Sequence, residues 1–395
     1  MIAAATMRER IERSGELMLR FADRTGVTAD RPARRYLWTD AFAVCNFLGL
    51  AAATGDAGHG ERALRLIERV HAVLGRHRAD DARTGWLSGL GPREGEAHPT
   101  RGGLRIGKPL PERRRGESLD EQLEWDRDGQ YFHYLTKWMH ALDQAARATG
   151  QMLFNVWARE LAATAHRAFV YVPPGGGGKR MYWKMSVDLS RPQVASMGHH
   201  DPLDGLVTCA QLEATAGRMR PPDPGPHLAT MAADFAALFD PTALATADPL
   251  GLGGLLVDAS RLAQLTRQGA WPKADGLLAS LLVAAGAGLQ QYAKQPDLRA
   301  PAAHRLAFRE LGLAIGLAAV ERMRGDAADW AGTGAALDQL ARYAPVRTAI
   351  ESFWLVSEHR RQRTWLEHED INDVMLATML LPDGFLVLPT PAEGP

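Results

Sequence analysis

Cysteine is nearly missing from this chain: Cys45 and Cys209 are the only two among 395 residues. Both fall inside helical patterns and neither belongs to a CxxC pair. That argues against a disulfide framework or a thiolate metal site, and two buried thiols are expected. Neither sign of charge is in excess, with 46 Lys and Arg against 46 Asp and Glu. A balanced chain offers no field to attract nucleic acid or an anionic membrane, so neither is expected as a partner. The triplet Arg113, Arg114, Arg115 is answered by Glu117, Asp120, Glu121 and Glu124 and reads as a solvated loop. Long apolar runs are also missing. The opening MIAAATMRERIERSGE is too short in apolar residues for a signal peptide, and Leu277–Leu289 is too short to span a bilayer. A cytoplasmic location is expected by default.

Several catalytic signatures are absent too. There is no HExxH and no second spaced His pair to join His199, His200 and Asp201, so no metal site is expected. Asp370-Ile371-Asn372-Asp373 lacks the Gly and the ligand spacing of an EF-hand loop. No Gly-x-Ser-x-Gly elbow occurs, which disfavours a serine hydrolase. The stretch Thr100–Lys108 is rich in Gly and cations, but it lacks the P-loop ending and the dinucleotide glycine spacing. It reads first as a flexible loop that could fold over the site as a lid, and second as an anion contact through Arg105 and Lys108. No cofactor is expected.

What the sequence does contain is helical periodicity. Apolar residues recur at Leu64, Ile67, Val70 and Leu74, and again at Tyr131, Leu135, Trp138, Leu142 and Ala146. The pattern predicts helices over 6–22, 40–54, 60–76, 131–149, 151–168, 204–216, 226–239, 252–266, 273–292, 304–323, 328–343, 346–360 and 370–381. Phe169–Val172 and Met181–Val187 predict a short hairpin around Pro173–Gly178. Three helices end alike, at Ala53-Thr54-Gly55, Ala148-Thr149-Gly150 and Ala214-Thr215-Ala216-Gly217, where Gly suits a left-handed cap. Short and long connections alternate, which puts 23–39, 77–130 and 169–203 on one face of a set of helical hairpins. A chain of this length exceeds the usual single domain, but a closed ring of hairpins keeps one core. The expected fold is all-α, an (α/α)6 barrel or toroid, as one domain over 1–389 with a tail at 390–395.

The starts of the would-be inner helices are rich in acids, imidazoles and aromatics. They carry Tyr36, Trp38 and Asp40; Trp125, Asp126, Asp128, Tyr131, His133 and Lys137; His199, His200 and Asp204; and His368, Glu369 and Asp370. Taken singly, Asp40, Asp204 and Asp370 are good helix caps, and Trp138 is core. Convergence on one funnel makes the case for function. Aromatic faces stack on sugars, and carboxylates and cations bind hydroxyls. Glycosidic hydrolysis needs two carboxyl groups, one of them kept protonated by crowding in a dry site. Asp40, Asp126, Asp128 and Asp204 are the candidate carboxylates, with Tyr36, Trp38, Trp125 and Tyr131 lining sugar subsites.

On these features, hairpins closed by Thr-Gly turns and Trp, Asp and His at inner-helix starts as in Tyr36–Asp40, the chain resembles the six-hairpin glycosidase-like superfamily. The resemblance is architectural, covers most of the chain and matches no single family signature. It implies carbohydrate chemistry by analogy of fold. Glycoside hydrolysis on a small-molecule or oligosaccharide substrate is the first expectation. The second is sugar epimerisation of the N-acylglucosamine 2-epimerase type, with His133, His199, His200 and His368 supplying imidazoles that titrate near neutrality. The third is a ligand-binding toroid without turnover. The polar funnel argues against an isoprenoid cyclase.

Overall fold

A computed structural model describes residues 6–28, 31–218, 225–272, 276–295, 297–325 and 333–390. The expected helix starts at 273 and 328, the Pro-rich stretch around 219–224 and most of the 390–395 tail lie outside these residues. The protein is predominantly helical. In chain order the helices are α1 (Met7–Arg24), α2 (Leu37–Thr54), α3 (Ala57–Leu74), α4 (Pro92–Ala97), α5 (Glu121–Glu124), α6 (Phe132–Thr149), α7 (Leu153–Phe169), α8 (Asp201–Ala216) and α9 (Ala229–Ala236). They continue with α10 (Pro249–Arg267), α11 (Leu277–Tyr292), α12 (Ala307–Gly325), α13 (Gly334–Ala341), α14 (Ala344–Leu355), α15 (Arg363–Leu366), α16 (Glu369–Leu380) and α17 (Asp383–Leu386). The periodicity locates the long helices within a few residues, while the short α4, α5, α15 and α17 carry no periodic signal. Contacts divide the chain into two compact units. One comprises Met1–Phe21, Gly49–Asp56 and Asp240–Leu388, and the other Ala22–Leu48, Ala57–Phe239 and Pro389–Pro395.

The second unit contains the small β-structure. Val170–Tyr171 (β2) pairs antiparallel with Arg180–Met181 (β3), as the hairpin pattern predicts. The chain then leaves that hairpin. Lys184–Met185 (β4) pairs instead with Gln130–Tyr131 (β1), and Pro192–Val194 (β5) adds to its other edge. This pairing fastens two long connections to each other just ahead of α6.

Two of the three Thr-Gly ends share one device. Thr54 Oγ1 donates to Leu50 O and accepts from Asp56 N, and Thr149 Oγ1 donates to Ala145 O and accepts from Gln151 N. Gly55 and Gly150 follow with φ of 73° and 72°, the left-handed conformation that Gly adopts without a Cβ penalty. The third end differs: Gly217 stays right-handed at φ −61°.

The core of the second unit holds a buried polar knot between α6, α7 and α8. Asp143 accepts from Arg147 Nε at 2.8 Å, Gln211 Nε2 at 2.7 Å and Asn155 Nδ2 at 2.9 Å. Arg147 also donates to Pro389 O. Every oxygen of Asp143 is satisfied, as a buried charge requires. In the first unit, α10 and α12 approach through glycines. A Cβ on Gly253 would lie 2.2 Å from Gly312 O, so only Gly permits this crossing. Cys45 and Cys209 are buried and not joined to each other. Only α2 among the described helices is long and apolar enough to cross a membrane, and 72% of it is buried within the protein.

Candidate functional site

The starts of α2, α6 and α8 meet in the second unit. Tyr36, just before α2, shares a hydroxyl–hydroxyl hydrogen bond with Tyr134 in the first turn of α6. Lys137, one turn further along α6, donates to Asp204 Oδ2 of α8 at 2.7 Å, and Thr136 Oγ1 donates to the same oxygen. His133 Nδ1 lies 3.9 Å from Asp201 Oδ1, too far for a hydrogen bond. Neither His133 Nδ1 nor Asp201 Oδ2 has a hydrogen-bond partner, although both atoms are buried. A buried acceptor without a partner is costly and marks a place where a ligand or a proton belongs.

Electrostatics separates the two aspartates of α8. Burial, reinforced by Asp204, pushes the Asp201 carboxyl up to about 7, with Lys137 opposing. Asp201 therefore keeps its proton close to neutrality. Asp204, held by the ammonium of Lys137, is the anion of the pair. Burial and Lys137 pull the His133 imidazole down to about 4, with Asp204 opposing, so it is neutral beside Asp201. The result is a protonated carboxyl and a neutral imidazole side by side, the inverse of their ordinary order of acidity.

Aromatic rings pack around His133. The Trp183 ring lies parallel to that of His133, with centroids 6.2 Å apart and an interplanar angle of 12°. Tyr131 packs against Trp183 at 5.1 Å and Tyr134 at 5.2 Å, and Trp125 meets Trp183 edge-on at 5.2 Å. Burial raises the phenols of Tyr131 and Tyr134, so both stay protonated donors. Lys108 Nζ stands 5.3 Å from the Tyr36 ring.

Of the residues the sequence singled out, Tyr36, Lys108, Trp125, Tyr131, His133, Lys137 and Asp204 belong to this cluster. Others have different work. Asp128 is fully buried and accepts from Arg105 at 2.5 Å and from the backbone N–H of Gly107 and Gly129 at 3.0 Å. Arg105 also donates to Arg76 O and Val73 O. This buried pair pins the Thr100–Lys108 segment down, so the segment is not a free lid. Asp40 reaches back to accept from Tyr36 N at 3.1 Å and sits 3.3 Å from Arg35, the capping role that its position allowed. Trp38 is buried against Phe42. Asp126 and His199 are exposed, and His200 occupies the N-cap position of α8 without a side-chain cap hydrogen bond. His368, Glu369 and Asp370 lie in the other unit at the start of α16, where His368 meets the edge of Phe308.

Sequence reasoning missed Tyr134 and Trp183, and it weighed Asp201 only as a metal ligand. Trp183 is far from α6 in sequence and arrives through the β1–β4 pairing of Tyr131 with Lys184. The alternation of Met181, Trp183, Met185 and Val187 marks a strand in the sequence but not the partner that brings it to α6. Among the described residues, no three His, Cys, Asp or Glu side chains come together to hold a metal ion. No protein-family model matches the chain, and no curated protein matches it.

Proposed function

We propose that the protein is a carbohydrate-active enzyme that hydrolyses glycosidic bonds, with Asp201 as proton donor and His133 as its basic partner. One observation carries this reading: a buried carboxyl and a partly exposed imidazole from different helices, each with a buried, unsatisfied atom, 3.9 Å apart beside a wall of tyrosines and tryptophan. Asp201 protonates the bridging oxygen as the C–O bond breaks. The carboxylate left behind stands next to His133 and favours imidazolium, so His133 becomes a better base at the moment water attacks the sugar carbon. His133 takes the proton of that water and passes a proton on to the Asp201 carboxylate 3.9 Å away, which restores the neutral imidazole and the protonated carboxyl. Asp204, held by Lys137 at 2.7 Å, sets with it the charge around the pair.

The six-hairpin glycosidase-like superfamily and its toroidal ring belong to the same proposal. They are supported by the succession of hairpins with two-residue and three-residue links at 55–56 and 150–152. A second reading is favoured by the neutral state of His133: the same pair can shuttle a proton beside a sugar carbonyl, as an epimerase requires. Product analysis on a panel of oligosaccharides and free sugars separates the two. Shorter glycans indicate hydrolysis and an epimer indicates isomerisation. In either case Asp201→Asn and His133→Asn should each lower turnover by about 10²-fold or more. Full activity in either variant would overturn the assignment.

A further inference from the structure

We propose that the cleft walled by Trp125, Tyr131 and Trp183 is a binding subsite for a second, neutral sugar ring, so that the substrate is a neutral oligosaccharide rather than a monosaccharide. The inference rests on the reading of the His133–Asp201 pair as the reacting centre, and it narrows the substrate class of that site. The cleft is about 200 Å³ and is lined by these three rings together with Leu119, Val194 and carboxylates at its rim.

Three features point to a sugar ring. First, Trp125 is 55% exposed and Leu119 50% exposed, and both line the same cleft. A contiguous apolar patch around an aromatic platform marks a place of binding. A pyranose offers an apolar C–H face to such a platform while its hydroxyls face water. Second, the wall is pre-formed. Trp183 is braced by Tyr131 and Trp125, and its neighbour Lys184 is fully buried, donating to Glu124 Oε1, Glu124 O and Arg127 O at 2.8 Å each. Third, Trp183 is shared. One side of its surroundings is the cleft, and its ring also lies parallel to His133. A ring in the cleft is therefore the immediate neighbour of a ring at the reacting pair.

The charge of the wall sets the class of sugar. Glu121 and Glu124 line the cleft, and among the described residues no cationic side chain does. Glu124 is neutralised by Lys184 at 2.8 Å and Arg113 at 3.2 Å, which leaves Glu121 facing solvent. A uronate or a sugar phosphate would meet a carboxylate and find no partner there. Neutral hydroxyls can donate to it.

The test uses the full-length Asp201→Asn protein, so that binding is read with turnover lowered by about 10²-fold or more. Calorimetric titrations with glucose, mannose and xylose are compared with their α- and β-linked di- to tetrasaccharides and with oligogalacturonides. The expected result is at least tenfold tighter binding on adding the second ring for one neutral series, with oligogalacturonides at least tenfold weaker. That gain should vanish in Trp125→Ala, a surface change that leaves the fold intact, and in Trp183→Ala. Conservative Trp183→Phe should keep part of it. Absence of any second-ring gain, its survival in both alanine variants, or a preference for uronates would each overturn the subsite. A second-ring gain with no turnover by the wild type would leave the subsite standing and remove the hydrolytic reading. Asp201-dependent cleavage of aryl monosaccharides without that gain would do the reverse.

Discussion

Two aspartates that look alike in sequence carry different chemistry. Asp201 and Asp204 both sit in the first turn of α8, where either is a good helix-start residue. Lys137 takes Asp204 as its partner and leaves Asp201 with an unsatisfied oxygen. Replacing Asp204 by Asn removes a repelling carboxylate and frees the Lys137 ammonium, and both changes favour ionised Asp201. The Asp204→Asn variant should therefore show the basic limb of its pH–rate profile at lower pH than the wild type. An unmoved limb would mean that Asp204 does not set the Asp201 proton. Asp128 is the contrary case. By composition it is an attractive catalytic carboxylate, yet Arg105 and three backbone N–H groups occupy it. Asp128→Ala leaves a buried guanidinium uncompensated and should cost about 3–5 kcal/mol of stability in denaturant titrations. Activity per folded molecule should persist. Loss of chemistry without loss of stability would reverse that reading.

Among the elements, helices are legible because burial imposes a period, and Leu64–Leu74 and Tyr131–Ala146 alone locate two of the long ones. The start of α6 is legible for the same reason, and it delivers Tyr131, His133 and Lys137. What stays hidden depends on long-range pairing. No local pattern says that Lys184 will lie beside Tyr131, so Trp183 could not be placed from its own neighbourhood. Burial of Asp201 and release of Gly217 from a left-handed cap are likewise tertiary outcomes. The contact of α6, α7 and α8 hinges on Asp143, which ties Arg147, Gln211 and Asn155 together. Asp143→Ala should lower the unfolding free energy by about 3–5 kcal/mol, among the largest single losses in this unit. A loss under about 1 kcal/mol in urea titration would show that the knot is dispensable.

For the whole molecule, the site has a cost that global stability records. Asp201 has an ordinary carboxyl value of 3.8 and a folded value of about 7, so the folded state binds the proton more tightly than the unfolded one. Its contribution is fully present below about pH 4 and is lost as pH rises to 7, at about 1.4 kcal/mol for each tenfold difference in proton affinity. His133 acts with the opposite sign. Its folded value is lowered, so its contribution is present above its ordinary 6.5 and is lost as pH falls towards 4. His71, buried and accepting from Trp138 Nε1, adds to the same side. Between pH 4 and 6.5, Asp201 should thus offset one of the two histidines, and wild-type stability should rise only shallowly with pH. The curve for Asp201→Asn should climb more steeply, with a gap near zero at about pH 4 and of a few kcal/mol at about pH 8. A variant that is less stable than the wild type at that upper pH would contradict this balance.

All of this turns on whether Asp201 holds its proton to neutrality in the folded protein. The carboxyl carbons of Asp-labelled protein, followed by ¹³C NMR from acid to mildly alkaline pH, report that proton without reference to any substrate, and Asp201→Asn assigns the resonance. One aspartate should titrate near pH 7 and be missing from the spectrum of the variant. An Asp201 resonance with its midpoint below about pH 5, nearer the ordinary carboxyl range, would refute the raised value and with it the role of Asp201 as acid.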